Sequence, residues 1–162
     1  MAEIHKLEVE YKVKCSADKF YALMTRDIHK LPKYAPKTIH NIQVLPGHCE
    51  VGVGSIVVWD YVQRVQGDKP TAVMAKVKIT AMDHTNLSLT NTVLEGDLRN
   101  CYTSFAINLA ITPIQRDGNY KSLVKWSVQY QKANKDVPDP TYFMKVLEVF
   151  TKELEANLLK EE

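Results

Sequence analysis

What the sequence lacks narrows it first. There is no excess of one charge: 21 Lys and Arg stand against 19 Asp and Glu, with the signs interspersed, so no basic field argues for nucleic acid or an anionic membrane surface. Cysteine is sparse and odd in number. Cys15, Cys49 and Cys101 are widely spaced, with no CxxC pair and no histidine at zinc-ligand distance, which points to reduced structural thiols and to no metal site. No apolar run approaches the ~18 residues of a membrane span. The opening Met1-Ala2-Glu3-Ile4-His5 has no apolar signal core, so the cytosol is the expected location. No internal repeat, low-complexity tract or linker divides the 162 residues, which suffice for one domain with a substantial core and are too few for two ordinary ones. A single domain over 1–162 is expected.

What is present is organised around the last long segment, 139–158. Asp139 is placed to cap a first helical turn, and Pro140 suits the first helical position, where no backbone donor is needed. Phe143, Val146, Leu147, Phe150, Leu154 and Leu158 recur at three- and four-residue spacing, with Thr141, Lys145, Glu148, Lys152 and Glu155 opposite them. One face must be buried. About twenty residues at ~1.5 Å each make a rod of roughly 30 Å, which needs something concave to receive it. Asn157 falls near the apolar arc, and its nearness to the helix end suggests a cap-like or solvent-facing role.

Ahead of that helix the period is two. Leu7, Val9, Tyr11, Val13 and Cys15 alternate with Lys6, Glu8, Glu10, Lys12 and Lys14, which predicts a half-buried strand. Ser16 offers a helix cap before Ala17, Phe20, Leu23 and Met24, and Asp27 opens a second short helix that Pro32 and Pro36 should stop. Further strands are expected over 39–45, 56–62, 75–82, 87–93, 105–111 and 124–130. Turn chemistry separates them at Pro46-Gly47, Gln66 to Pro70, Asp83 to Asn86, Glu95-Gly96-Asp97 and Asp117-Gly118. Seven antiparallel strands, two short helices after the first and one long helix last make an α+β fold. A twisted sheet of that size curls, and its concave face is the expected receptor for the helix.

The order and spacing of several motifs carry a resemblance. They are Gly47 with Gly52-Val53-Gly54-Ser55, Trp59-x-Tyr61, Asp83-His84-Thr85-Asn86, Glu95-Gly96-Asp97, Trp126 with Tyr130, and Pro138-x-Pro140. Over essentially its whole length the chain resembles the major latex protein branch of the Bet v 1-like (PR-10) plant family. The resemblance implies a helix-grip, START-like domain, its seven-stranded sheet wrapped around the C-terminal helix and enclosing a large cavity for apolar or amphipathic small molecules. Some relatives in alkaloid pathways are enzymes and others are carriers. Pathogenesis-related members have a denser glycine loop followed by Lys, whereas Ser55 is followed by Ile56-Val57-Val58. The loop also lacks the Gly-Lys-Ser/Thr ending of a nucleotide P-loop.

The candidate ligand-binding residues come from the inward strand parity and the apolar helix faces. The strands supply Tyr11, Val57, Trp59, Tyr61, Leu89, Asn91, Phe105, Ile107, Trp126, Val128 and Tyr130. Phe20, Met24, Phe143, Val146, Leu147 and Phe150 come from helices. The same faces read equally as ordinary packed core. Asn91 and the three tyrosines are the polar groups that can orient a ligand, or else buried side chains satisfied by the protein itself. Catalytic residues are not assignable. Carboxylates and lysines fall mainly on outward faces, the inward Lys with carboxylate and Tyr partners of amine-condensing relatives has no counterpart by position, and no Ser-His-Asp arrangement emerges. His29 and His48 are placed to border a pocket mouth or to be solvated loop residues. The expected function is binding or carriage of a small hydrophobic metabolite such as a lipid, sterol, alkaloid, flavonoid or hormone. The alternative is an alkaloid-type isomerase, lyase or cyclase using the same cavity. A ribonuclease reading is disfavoured by the charge balance. No cofactor is expected, no nucleic-acid or integral-membrane partner, and a monomer or weak homodimer.

Overall fold

In the computed structural model of the chain, residues 3–45, 51–63 and 71–161 are described. The alternating first segment forms β1, Ile4–Val13, ending at buried Val13. Ser16 caps α1, Ala17–Met24, accepting the Lys19 backbone N–H at 3.3 Å. Asp27 precedes a second short helical segment as expected, but its first turn, Ile28–Lys30, is 3₁₀ and runs on into α2, Leu31–Tyr34. Pro32 does not stop that helix. It lies within the first turn, where its missing N–H removes no helical bond.

The remaining strands are β2 (Ile39–Leu45), β3 (Ile56–Gln63), β4 (Thr71–Asp83), β5 (Ser88–Gly96), β6 (Tyr102–Asp117) and β7 (Tyr120–Lys132). All neighbours are antiparallel, in the order β1-β7-β6-β5-β4-β3-β2. The seven-stranded sheet therefore keeps sequence neighbours together except β1, which the two helices carry to the far edge beside β7. The hairpins use the expected residues. Asp83 Oδ1 accepts the backbone N–H groups of Thr85 and Asn86, and Gly118 takes the positive φ of +66° that the β6–β7 turn requires. Of the glycine loop, residues 46–50 lie outside the described residues, as do 64–70, where a turn is expected.

Three features depart from the alternation. Leu87, expected to begin a strand, adopts φ +52° in the turn before β5. Glu95-Gly96, expected to break the pattern, are instead the last residues of β5. The ladder shifts register where Lys76 pairs with Glu95 and Val77 with Val93. Gly96 is required there, since a Cβ would lie 2.1 Å from the Met74 carbonyl oxygen. Pro113 lies within β6, next to another register shift.

The final helix, α3, runs Thr141–Leu159. Pro140 is its cap residue, and Asp139 makes no side-chain cap bond. The Asp139 carboxylate is occupied by the sheet instead: Tyr130 donates its hydroxyl to Oδ1 at 2.6 Å, and Lys132 Nζ is 3.2 Å away. Tyr102 donates to the Pro138 carbonyl at 2.6 Å. Two strand tyrosines thus fix the start of the helix. The apolar stripe is buried as expected, Phe143, Val146, Leu147, Phe150, Leu154 and Leu158 all falling in the core under the curved sheet. Asn157 neither caps nor faces solvent; it donates from Nδ2 to the Tyr34 carbonyl at 2.6 Å, because α2 ends against this turn of α3.

Candidate functional site

Strand parity decides which side chains face α3. Trp59 and Tyr61 on β3, Ala75 and Val77 on β4, Asn91 on β5, Ile107 on β6 and Trp126 on β7 line one wall of a cavity. Phe143, Val146, Leu147 and Phe150 of α3 line the other, and Met24, Thr38 and Ile39 complete it. The atom-free space is about 540 Å³ with its open mouth included. Aromatic edges hold the helix off the sheet. Phe150 meets Trp59 and Trp126 at centroid distances of 6.2 Å each, and Phe143 meets Tyr61 at 6.3 Å.

The polar groups of this wall differ in how they are satisfied. Trp126 donates its indole N–H to Thr151 Oγ1 at 2.8 Å, and Thr151 in turn donates to the Leu147 carbonyl at 2.7 Å. Thr38 donates to Glu153 Oε1 at 2.8 Å. Asn91 is buried and faces the cavity. The Tyr61 hydroxyl is buried and has no hydrogen-bond partner among the described residues. Burial, and then the negative field of Asp97, pushes the Tyr61 phenol well above its ordinary value, so it stays protonated and remains a donor at neutral pH.

The cavity borders the corner that joins α2 to β2. Thr38 and Val146 line both the cavity and a shallow outer groove with Lys37, Val62, Lys145 and Val149. That corner is fastened to α3 and to the turn after it by polar residues four apart. Glu153 accepts from the Lys37 backbone N–H and from Thr38 at 2.8 Å each, Asn157 holds the Tyr34 carbonyl, and Glu161 accepts the Tyr34 hydroxyl at 2.6 Å.

Of the residues expected from sequence, Met24, Trp59, Tyr61, Asn91, Ile107, Trp126, Phe143, Val146, Leu147 and Phe150 come together around this space. Phe20, Val57, Leu89, Phe105 and Val128 are buried away from it as solid core. Phe105 illustrates why: the rings of Tyr102, Tyr130 and Phe143 pack around it at centroid distances of 5.3, 6.1 and 5.3 Å. Tyr130 spends its hydroxyl on Asp139. Tyr11 lies half-buried in a separate groove with Thr151, Lys152 and Glu155, because β1 is an edge strand that α3 only partly covers. Thr38, Ile39, Ala75 and Val77 were missed. The last three belong to segments already read as strands, but small and aliphatic residues give no polar or aromatic signal, and Thr38 precedes any alternation. His29 is exposed, and His48 lies outside the described residues. Among the described residues Cys15 and Cys101 form no disulfide, and Cys49 likewise lies outside the described residues. Among the described residues no cluster of His, Cys, Asp or Glu could hold a metal, and no helix is long and apolar enough to cross a membrane.

Comparison with known proteins agrees with this architecture. The profile of the Pathogenesis-related protein Bet v 1 family matches residues 2–161. MLP-like protein 43 of Arabidopsis thaliana is 38% identical over 159 residues, 98% of this chain and 96% of the relative. Among solved structures, major latex-like protein 151 from Panax ginseng superposes with a TM-score of 0.83 at 30% identity, covering 94% of this chain and 96% of that one. Norcoclaurine synthase from Thalictrum flavum, solved with dopamine and hydroxybenzaldehyde, superposes with a TM-score of 0.74 over 99% of this chain and 90% of its own. At 19% identity that likeness is one of fold alone.

Proposed function

The chain belongs to the Bet v 1 family and, within it, to the major latex protein branch, and from that premise we propose that it binds small hydrophobic or amphipathic molecules between α3 and the sheet and carries them out of contact with water. The observation that supports this most is the lining itself. Among the described residues the lining is aliphatic and aromatic apart from Thr38, Tyr61 and Asn91, and none of these lining residues carries a carboxylate, an amine or an imidazole. An apolar body gains ~25 cal/mol for each Å² it buries there, and a few polar groups orient it. Lipids, sterols, alkaloids, flavonoids and hormones fit that description in chemistry.

The rival reading, an alkaloid-type isomerase, lyase or cyclase, requires a group that exchanges protons near neutrality. Tyr61 is the ionisable side chain in the lining, and its raised pKa suits it to donating a hydrogen bond rather than to acting as a base. This favours a binder. The cytosol, and a monomer or weak homodimer, remain part of the proposal.

Trp59 and Trp126 both line the cavity, so a panel of such compounds titrated against tryptophan emission tests it. A saturable change with at least one class is expected. Emission unaltered by every class would remove the reading.

A further inference from the structure

Tyr61 and Asn91 share one cavity wall without being neighbours. Tyr61 pairs with Val73 of β4, whereas Asn91 pairs with Ile79 of the same strand. These rows are six residue steps apart along β4, about 20 Å of backbone. Between them the wall is Trp59, Ala75 and Val77. Both polar residues are deeply buried, Tyr61 at 5% and Asn91 at 7% exposure. The Tyr61 hydroxyl is buried with no partner among the described residues, and the Asn91 side chain faces the cavity. Buried polar groups of purely structural residues are almost always paired. Trp126 and Tyr130, in the same sheet, show the paired condition.

We propose, resting on the ligand-binding reading above, that Tyr61 and Asn91 are the two polar anchors of an elongated, uncharged ligand with an oxygen function at each end. One oxygen accepts the Tyr61 O–H. The other, a hydroxyl or carbonyl, pairs with the Asn91 amide, which can both donate and accept. The apolar middle of the ligand lies across Trp59, Ala75 and Val77. The ligand is uncharged because, among the described residues, no lining side chain could compensate a buried ion.

The test compares 1-alkanols with α,ω-alkanediols of the same length, from about eight to about fourteen carbons, a range chosen against the strand rise. Binding is read from tryptophan emission. For wild type, the ratio of diol to alkanol affinity passes through a maximum at one chain length, about tenfold above its value at the ends of the series. Tyr61→Phe, which keeps the ring and its packing, flattens that maximum, because at the optimal length diol affinity falls more than alkanol affinity. Asn91→Leu does the same, with circular dichroism as the check on folding; if it does not fold, Tyr61→Phe alone decides. Saturable alkanol binding with a ratio that is flat in wild type, or a maximum that survives Tyr61→Phe, overturns the two-anchor proposal and leaves the cavity reading standing. Absence of binding by either series overturns both.

Discussion

The indole N–H of Trp126 meets the hydroxyl of Thr151 at 2.8 Å, joining the middle of β7 to the middle of α3 inside the core. Both residues are buried, Thr151 completely. The bond fixes the helix against the sheet next to the space that Trp126 and Phe150 line.

Removing that acceptor has a defined consequence. Thr151→Val keeps the shape and leaves the indole donor unsatisfied, which costs ~1–3 kcal/mol. Urea denaturation should show a lower midpoint with an unchanged slope, and Thr151→Ser should restore most of the loss.

Tyr61→Phe should act in the opposite direction on the empty protein. Because its hydroxyl is buried without a partner, deleting it removes a desolvation penalty, and stability should rise by about 1 kcal/mol in the absence of ligand. A tyrosine with a satisfied structural role would lose stability instead. Thermal unfolding of the two proteins decides between them.

Cavity wall and solid core should respond differently to changes along one helix. Leu154 is fully buried and does not line the cavity, so Leu154→Ala should cost ~2–5 kcal/mol and leave ligand preference unchanged. Val146 borders both the cavity and its outer groove. Val146→Phe has open space to fill, so it should cost less than about 1 kcal/mol while altering which ligands bind. Chemical denaturation combined with the ligand panel checks both.

The start of α3 should be acid-sensitive. The Tyr130 hydroxyl, and after it Lys132, hold the Asp139 carboxyl below the usual carboxylate range. A depressed folded-state pKa stabilises above the unfolded value, about 4, and that contribution is lost as pH falls through the folded value. Asp139→Asn should therefore lower the denaturation midpoint at pH 7, and its gap from wild type should close as the pH falls below about 4. A gap independent of pH would contradict this assignment.

Particular residues show how far the sequence reaches. Val124, Trp126, Val128 and Tyr130 alternate strictly, and β7 carries them on one face as expected. The stripe from Phe143 to Leu158 likewise marks the buried side of α3. Parity determines the face a side chain takes, but not the distance between that face and the element opposite. Ile107 and Phe105 have the same parity, yet Ile107 reaches open space while Phe105 is enclosed by three rings. Asp139 is legible as a helix cap because capping is local. Its actual partners, Tyr130 and Lys132, lie on the preceding strand and become neighbours only when the helix folds back across the sheet. Thr38 belongs to the site for the same kind of reason, since α3 presents Glu153 to it from 115 residues away.

The most direct measurement of ligand binding in this cavity is titration with an uncharged, environment-sensitive naphthalene dye. Wild type is compared with a protein in which Leu147→Trp fills the space, and both are first shown to be folded by circular dichroism. One saturable site per chain in wild type, with blue-shifted dye emission, and its loss in the filled protein, is the predicted result. Equal dye binding by the two proteins, or none by wild type, would contradict the account.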